Sequence, residues 1–119
     1  MLEFMQKVPA HILLVVNEAY IEYVTDSNLQ SVLPLLAQFP NLIVTRTFSK
    51  AYGLAGIRAG FALAIATAIE MIERVRESFN LNSLALIAAN VALTDEQHLI
   101  AVRKNNAQQR EWMLAQLQA

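Results

Sequence analysis

The chain has 119 residues, 55% hydrophobic and 16% charged, with a formal net charge of -1 at pH 7, so it fits one small domain with no basic excess for nucleic acid. It has no cysteine, which excludes disulfides and thiolate metal sites and agrees with a cytoplasmic location. Met1 to Lys7 lacks a basic stretch followed by an apolar core, and no apolar run reaches the roughly 18 residues of a membrane span, so neither signal peptide nor membrane contact is expected.

After Pro9, His11-Ile12-Leu13-Leu14-Val15-Val16 is a continuous apolar run rich in β-branched residues, which predicts a strand covered on both faces in a parallel sheet. It ends at Asn17-Glu18-Ala19-Tyr20. Ser27-Asn28-Leu29-Gln30 has capping-box spacing and introduces a predicted helix from Ser31 to Gln38, in which Pro34 is compatible only with the first turn. Asn41 to Arg46 repeats the buried-strand pattern, so strand, helix and strand read as a right-handed βαβ unit. Ligands of such sheets bind beyond the carboxyl ends of the strands. Asn17 and Tyr20 end the first strand, Ser49 and Lys50 follow the second, and the two polar clusters should face one crevice.

Ala59 to Ala64 reads as a third strand, and Thr67-Ala68-Ile69-Glu70 as a capping box opening a helix to about Glu77. Asn82 caps the segment Ser83 to Leu93, which is hydrophobic all round and is expected to be buried. Thr94-Asp95-Glu96-Gln97 is a third capping box, opening a helix to the C-terminus with Leu99, Val102, Met113 and Leu117 on one face and Asp95 and Glu96 at its positive end. No linker or repeat divides the chain. His11 and His98 lie far apart with no carboxylate at ligand spacing, so no metal is assigned.

All three glycines fall at 53, 56 and 60, where the backbone must turn tightly or be approached closely. Around them stands Thr47-Phe48-Ser49-Lys50-Ala51-Tyr52-Gly53-Leu54-Ala55-Gly56-Ile57-Arg58, a lysine after a hydroxyl residue and an arginine eight positions on. This suits one phosphate held by backbone N–H groups, Ser49 and Arg58, and leaves Lys50 free for covalent work. A partly desolvated lysine near a cation can form a Schiff base with an aldehyde. The lysine precedes the glycines, so the motif is not a nucleotide-binding P-loop.

This block resembles the cofactor-lysine region of the pyridoxal-phosphate-dependent fold-type I aminotransferases, and within them the histidinol-phosphate aminotransferases. The likeness extends through Glu18-Ala19-Tyr20, Phe39-Pro40-Asn41-Leu42 and Arg76-Glu77-Ser78-Phe79-Asn80-Leu81-Asn82-Ser83, where the family usually has proline at Ser78. It implies an α/β fold, a partial three-layer sheet of about three strands with flanking helices. That would be the C-terminal part of the cofactor-binding large domain plus the start of the inter-domain helix. It implies pyridoxal phosphate as cofactor, bound covalently by Lys50, which would also shuttle a proton, with its phosphate on Ser49 and Arg58. Tyr20 would donate a hydrogen bond to the cofactor's phenolic oxygen. The substrates implied are an amino donor, histidinol phosphate, and 2-oxoglutarate.

Asn17 occupies the place of the family's aspartate beside the pyridine nitrogen, a departure, because a neutral amide cannot hold that nitrogen protonated. Glu18 is no substitute, since neighbouring strand residues point to opposite faces. The family's chain is also much longer, with further cofactor contacts upstream and a carboxylate-binding arginine downstream. An inactive, folded or self-associating α/β module is therefore the alternative to an aminotransferase. A homo-oligomer is expected either way, because so apolar a short chain cannot cover its own surface.

Overall fold

The computed structural model describes residues 1–118. A short helix, α1 (Leu2–Lys7), precedes strand β1 (Leu14–Asn17); β2 (Leu42–Thr47) and β3 (Gly60–Leu63) follow, then helices α2 (Ala66–Glu73), α3 (Ser83–Thr94) and α4 (Glu96–Gln118). The sheet order is β1-β2-β3. β1 lies parallel to β2, with Leu14 opposite Leu42 and Asn17 opposite Thr45, and β3 returns antiparallel, with Thr47 opposite Gly60.

The core runs along β2 and past its end. Leu42 and Val44 pack on one face against Met5 of α1 and Val32, with Leu35, Leu36 and Phe39 around them. At the far end, Phe48 and Ala59 meet Ala85 of α3. α1, which carries no sequence signal as clear as those of the later helices, contributes a fully buried Met5 and an exposed Lys7–Glu3 ion pair at 3.1 Å.

Several expectations are corrected. The first strand begins at Leu14, because Pro9 sets a turn in which the Ile12 N–H donates to the Pro9 carbonyl at 2.9 Å. It is not covered on both faces either. Leu13 and Val15 are exposed, since α1 and the segment around Val32 cover only one side. The helix expected from Ser31 to Gln38 is a single 3-10 turn, Leu33–Leu35, flanked by further three-residue turns. Pro34 supplies no N–H and Pro40 ends the segment before helix can propagate beyond its costly nucleus. Ser27 does not cap it: the turn starts at Val32 with no side-chain cap, and the Leu33 N–H donates locally to Ser31 Oγ at 3.1 Å.

α2 begins at Ala66 with no side-chain cap and ends at Glu73, short of Glu77. The Ile65 carbonyl takes the first N–H groups, and beyond the helix Arg76 bonds back to Glu73. Asn82 does cap α3, accepting from the Ala85 N–H at 2.8 Å, a contact of about 1 kcal/mol. α4 is capped by Asp95, whose Oδ1 accepts from the His98 N–H at 3.0 Å, while Thr94 Oγ1 bonds back to Val91. α3 is not buried: only Ala85 is, and Leu84, Ile87 and Val91 face solvent.

The radius of gyration is 17.0 Å. A self-contained domain of this length would have about 13.5 Å.

Candidate active site

The parallel β1 and β2 end side by side, which brings the two polar clusters to one edge. Asn17 stands at the end of β1, its Oδ1 accepting from the Ala19 N–H at 3.1 Å and from Thr45 Oγ1 at 3.4 Å. The chain then turns through Tyr20 into a 3-10 turn, Ile21–Tyr23. From β2 it runs through Ser49 and Lys50 into a tight turn closed by the Gly53 N–H on the Lys50 carbonyl at 3.0 Å. Lys50 Nζ stands 5.3 Å from the centroid of the Tyr20 ring, a cation–π contact across the crevice.

Arg58 closes the far end of the Lys50 loop, two residues before β3 begins at Gly60. Thr47 pairs with Gly60 and the Phe48 N–H donates to the Ala59 carbonyl at 3.1 Å, which draws the two ends of the loop together, with Ser49 following on one side and Arg58 preceding on the other. Arg58 is not a glycine, yet its φ is 57°, in the left-handed region, which costs of order 1 kcal/mol. Its Nη1 donates to the Ala55 carbonyl at 3.0 Å. The loop glycines differ in need. Gly53 has φ 70°, a Cβ on Gly60 would meet the Arg46 carbonyl oxygen at 2.9 Å, and one on Gly56 would meet nothing within 4 Å.

Glu18 faces the other side of the strand, as period-two alternation requires. It is buried, accepting from Ser31 Oγ at 2.8 Å, the Val32 N–H at 2.7 Å and Arg46 Nη2 at 2.8 Å. The Arg46 partner and two contacts from α4 were not foreseen. His98 Nε2 lies 3.0 Å from the Ala51 carbonyl, and Arg103 Nε donates to the Glu22 carbonyl. Alternation already aims Glu18 inward and could have prompted a search for its cation; nothing in the sequence marks His98 or Arg103. Tyr52, packed on Phe48, has its phenol pushed above the usual value by burial and by Glu22, against the pull of Arg46 and Arg103.

Asn17, Lys50, Tyr20 and Arg58 are exposed and Ser49 is partly buried, so the site is an open shelf. Its donors are an ammonium, a guanidinium, a hydroxyl and the N–H groups of a tight turn. That set fits the phosphate and aldehyde of pyridoxal phosphate. It does not supply a carboxylate for the ring nitrogen, because position 17 carries an amide. Among the described residues no three His, Asp or Glu side chains gather as metal ligands.

The family model for aminotransferase class I and II matches residues 1–119. Over 104 residues the chain is 52% identical to histidinol-phosphate aminotransferase 2 of Pseudomonas fluorescens (strain Pf0-1), covering 87% of this chain and 28% of that protein. Over 107 residues it is 50% identical to the histidinol-phosphate aminotransferase of Bacillus licheniformis, covering 89% of this chain and 30% of the relative. A crystal structure of histidinol-phosphate aminotransferase from Sinorhizobium meliloti in complex with pyridoxal-5'-phosphate superposes with a TM-score of 0.85 at 36% identity, over 92% of this chain and 29% of that one. The chain thus spans less than a third of the length of these proteins.

Proposed function

The chain belongs to the class I and II aminotransferase family, and from that premise we propose that it forms the lysine-bearing part of a pyridoxal-phosphate-dependent enzyme that moves an amino group between histidinol phosphate and 2-oxoglutarate. In this reading it is the C-terminal part of a cofactor-binding large domain with the start of the inter-domain helix, working in the cytoplasm as a homo-oligomer. The relatives' name supports the choice of donor. The observation that carries the reading is Lys50 Nζ standing over the Tyr20 ring at 5.3 Å.

Pyridoxal phosphate, when bound, supplies an aldehyde that takes up amines and a ring that accepts electron density. The residues here divide the rest of the work. Arg58 and Ser49, with the N–H groups of the turn, hold the phosphate by charge-assisted hydrogen bonds. Lys50 Nζ would be the point of covalent attachment, and the same atom would take and return a proton at the substrate carbon. Tyr20 donates its hydroxyl to the phenolic oxygen and flanks Lys50 with its ring.

Asn17 supports a second reading, of an inactive module that keeps the fold. Neutral at every working pH, the amide cannot favour a protonated ring nitrogen as an opposite charge would. Dialysis after incubation with pyridoxal phosphate tests the site: a visible absorption band should persist, vanish in Lys50→Ala and weaken in Arg58→Ala. Equal retention by all three proteins would remove the proposed site.

A further inference from the structure

The two loops that make the shelf are not bonded to each other by any main-chain ladder beyond the ends of β1 and β2. A third element touches both. α4 approaches the Lys50 loop through His98, whose Nε2 lies 3.0 Å from the carbonyl of Ala51, the residue directly after Lys50. The same ring nitrogen is the nearest atom to the space beside Gly53, 4.0 Å from where a Cβ would stand, so His98 sits against the Lys50–Gly53 turn itself. One and a half turns further along α4, Arg103 donates through Nε to the carbonyl of Glu22, two residues after Tyr20. The helix is continuous from Glu96 to Gln118, and Asp95 fixes its first turn at the His98 N–H.

We propose that α4 is a clamp on the site, in which His98 and Arg103 are positioning residues that hold the Lys50 loop and the Tyr20 loop in the register that places Nζ over the ring. Both contacts are made to main-chain carbonyls, so they act on loop position and not on side-chain chemistry. For His98 the geometry requires the Nε2 tautomer to carry the proton, because a carbonyl only accepts. The two contact points are about 7.5 Å apart along a rigid rod at 1.5 Å per residue, which fixes the spacing of the loops they grip. A few tenths of an ångström at such a support matter where the reacting groups must be held closely. The catalytic significance of the clamp rests on the proposed role of Lys50; the clamp itself does not.

Amide hydrogen exchange reads the clamp without cofactor. In His98→Ala the Gly53 N–H, bonded to the Lys50 carbonyl, should exchange about fivefold faster or more, while the Tyr23 N–H, bonded to the Tyr20 carbonyl, keeps its rate. Arg103→Ala should do the reverse. His98→Gln, which retains a donor at the end of its side chain, should restore the Gly53 rate. Val44 in the middle strand should be unchanged throughout. Acceleration at Val44 by the same factor would mean general loosening and would overturn the clamp, as would unchanged rates at Gly53 and Tyr23. Trapping of pyridoxal phosphate with borohydride then links clamp to function: capture at Lys50 relative to Lys104 should drop about threefold in His98→Ala and Arg103→Ala and recover in His98→Gln. If the unaltered chain captures no more at Lys50 than at Lys104, the cofactor reading fails while the exchange rates still decide the clamp.

Discussion

The Asn17 side chain accepts the Ala19 main-chain N–H through Oδ1 at 3.1 Å, which fixes the amide's orientation because a main-chain N–H only donates. The group that Asn17 offers to a ligand is therefore Nδ2, a neutral donor where the resemblance implies a negative acceptor.

Asn17→Asp keeps an oxygen for Ala19 and adds a charge without changing shape. It should tighten pyridoxal phosphate binding about tenfold, equivalent to about 1.4 kcal/mol, or shift the bound absorption to longer wavelength. Turnover with histidinol phosphate should stay negligible in both proteins, since the charge alone does not complete the site. Spectrophotometric titration checks the first part; robust turnover by the unaltered chain would contradict the second.

Glu18→Ala should be among the most destabilising single changes. It strips the carboxylate from a network in which Arg46, Ser31 and the Val32 N–H all donate to it, leaving a largely buried guanidinium without its partner. Removing one member of a buried pair costs about 3–5 kcal/mol. Urea unfolding, with Glu18→Gln as the milder comparison, gives the order expected: unaltered chain, then Gln, then Ala.

The loop glycines should separate by stability. Gly60→Ala forces a Cβ to within 2.9 Å of the Arg46 carbonyl oxygen, which main chain cannot yield cheaply, and should cost about 1–3 kcal/mol. Gly53→Ala meets no clash but must hold φ 70°, costing about 1 kcal/mol. Gly56→Ala meets nothing and should lie within about 0.5 kcal/mol of the parent. Thermal unfolding of the three variants reads the order directly.

What the sequence made legible was whatever depends on local pattern. The β-branched runs marked β2 and the parallel pairing with β1, and Asn82 announced α3. Burial was less legible because it depends on partners outside the pattern. An all-apolar stretch such as Ser83 to Leu93 looks buried by composition, yet only Ala85 reaches the Phe48–Ala59 cluster. Capping boxes misled where another acceptor was nearer, as when Asp95 took the place of Thr94. The α4 contacts join residues 47 and 81 positions apart, beyond the reach of any spacing rule.

Self-association should follow from the surface. Leu84 is 75% exposed, Ile87 61% and Val91 62%, one row along α3, and fully burying each such side chain is worth about 1.5–3 kcal/mol. Light scattering coupled to gel filtration at micromolar concentration should give a mass above that of one chain. A single peak at 13.3 kDa with cooperative unfolding would contradict this.

The central claim is that Lys50 is the lysine that takes the cofactor. Incubation with pyridoxal phosphate, reduction with borohydride and peptide mapping tests it most directly, with Lys7 and Lys104 as internal references in the same molecule. The account predicts label concentrated on Lys50 and reduced in Arg58→Ala. Label spread alike over Lys7, Lys50 and Lys104 would contradict it.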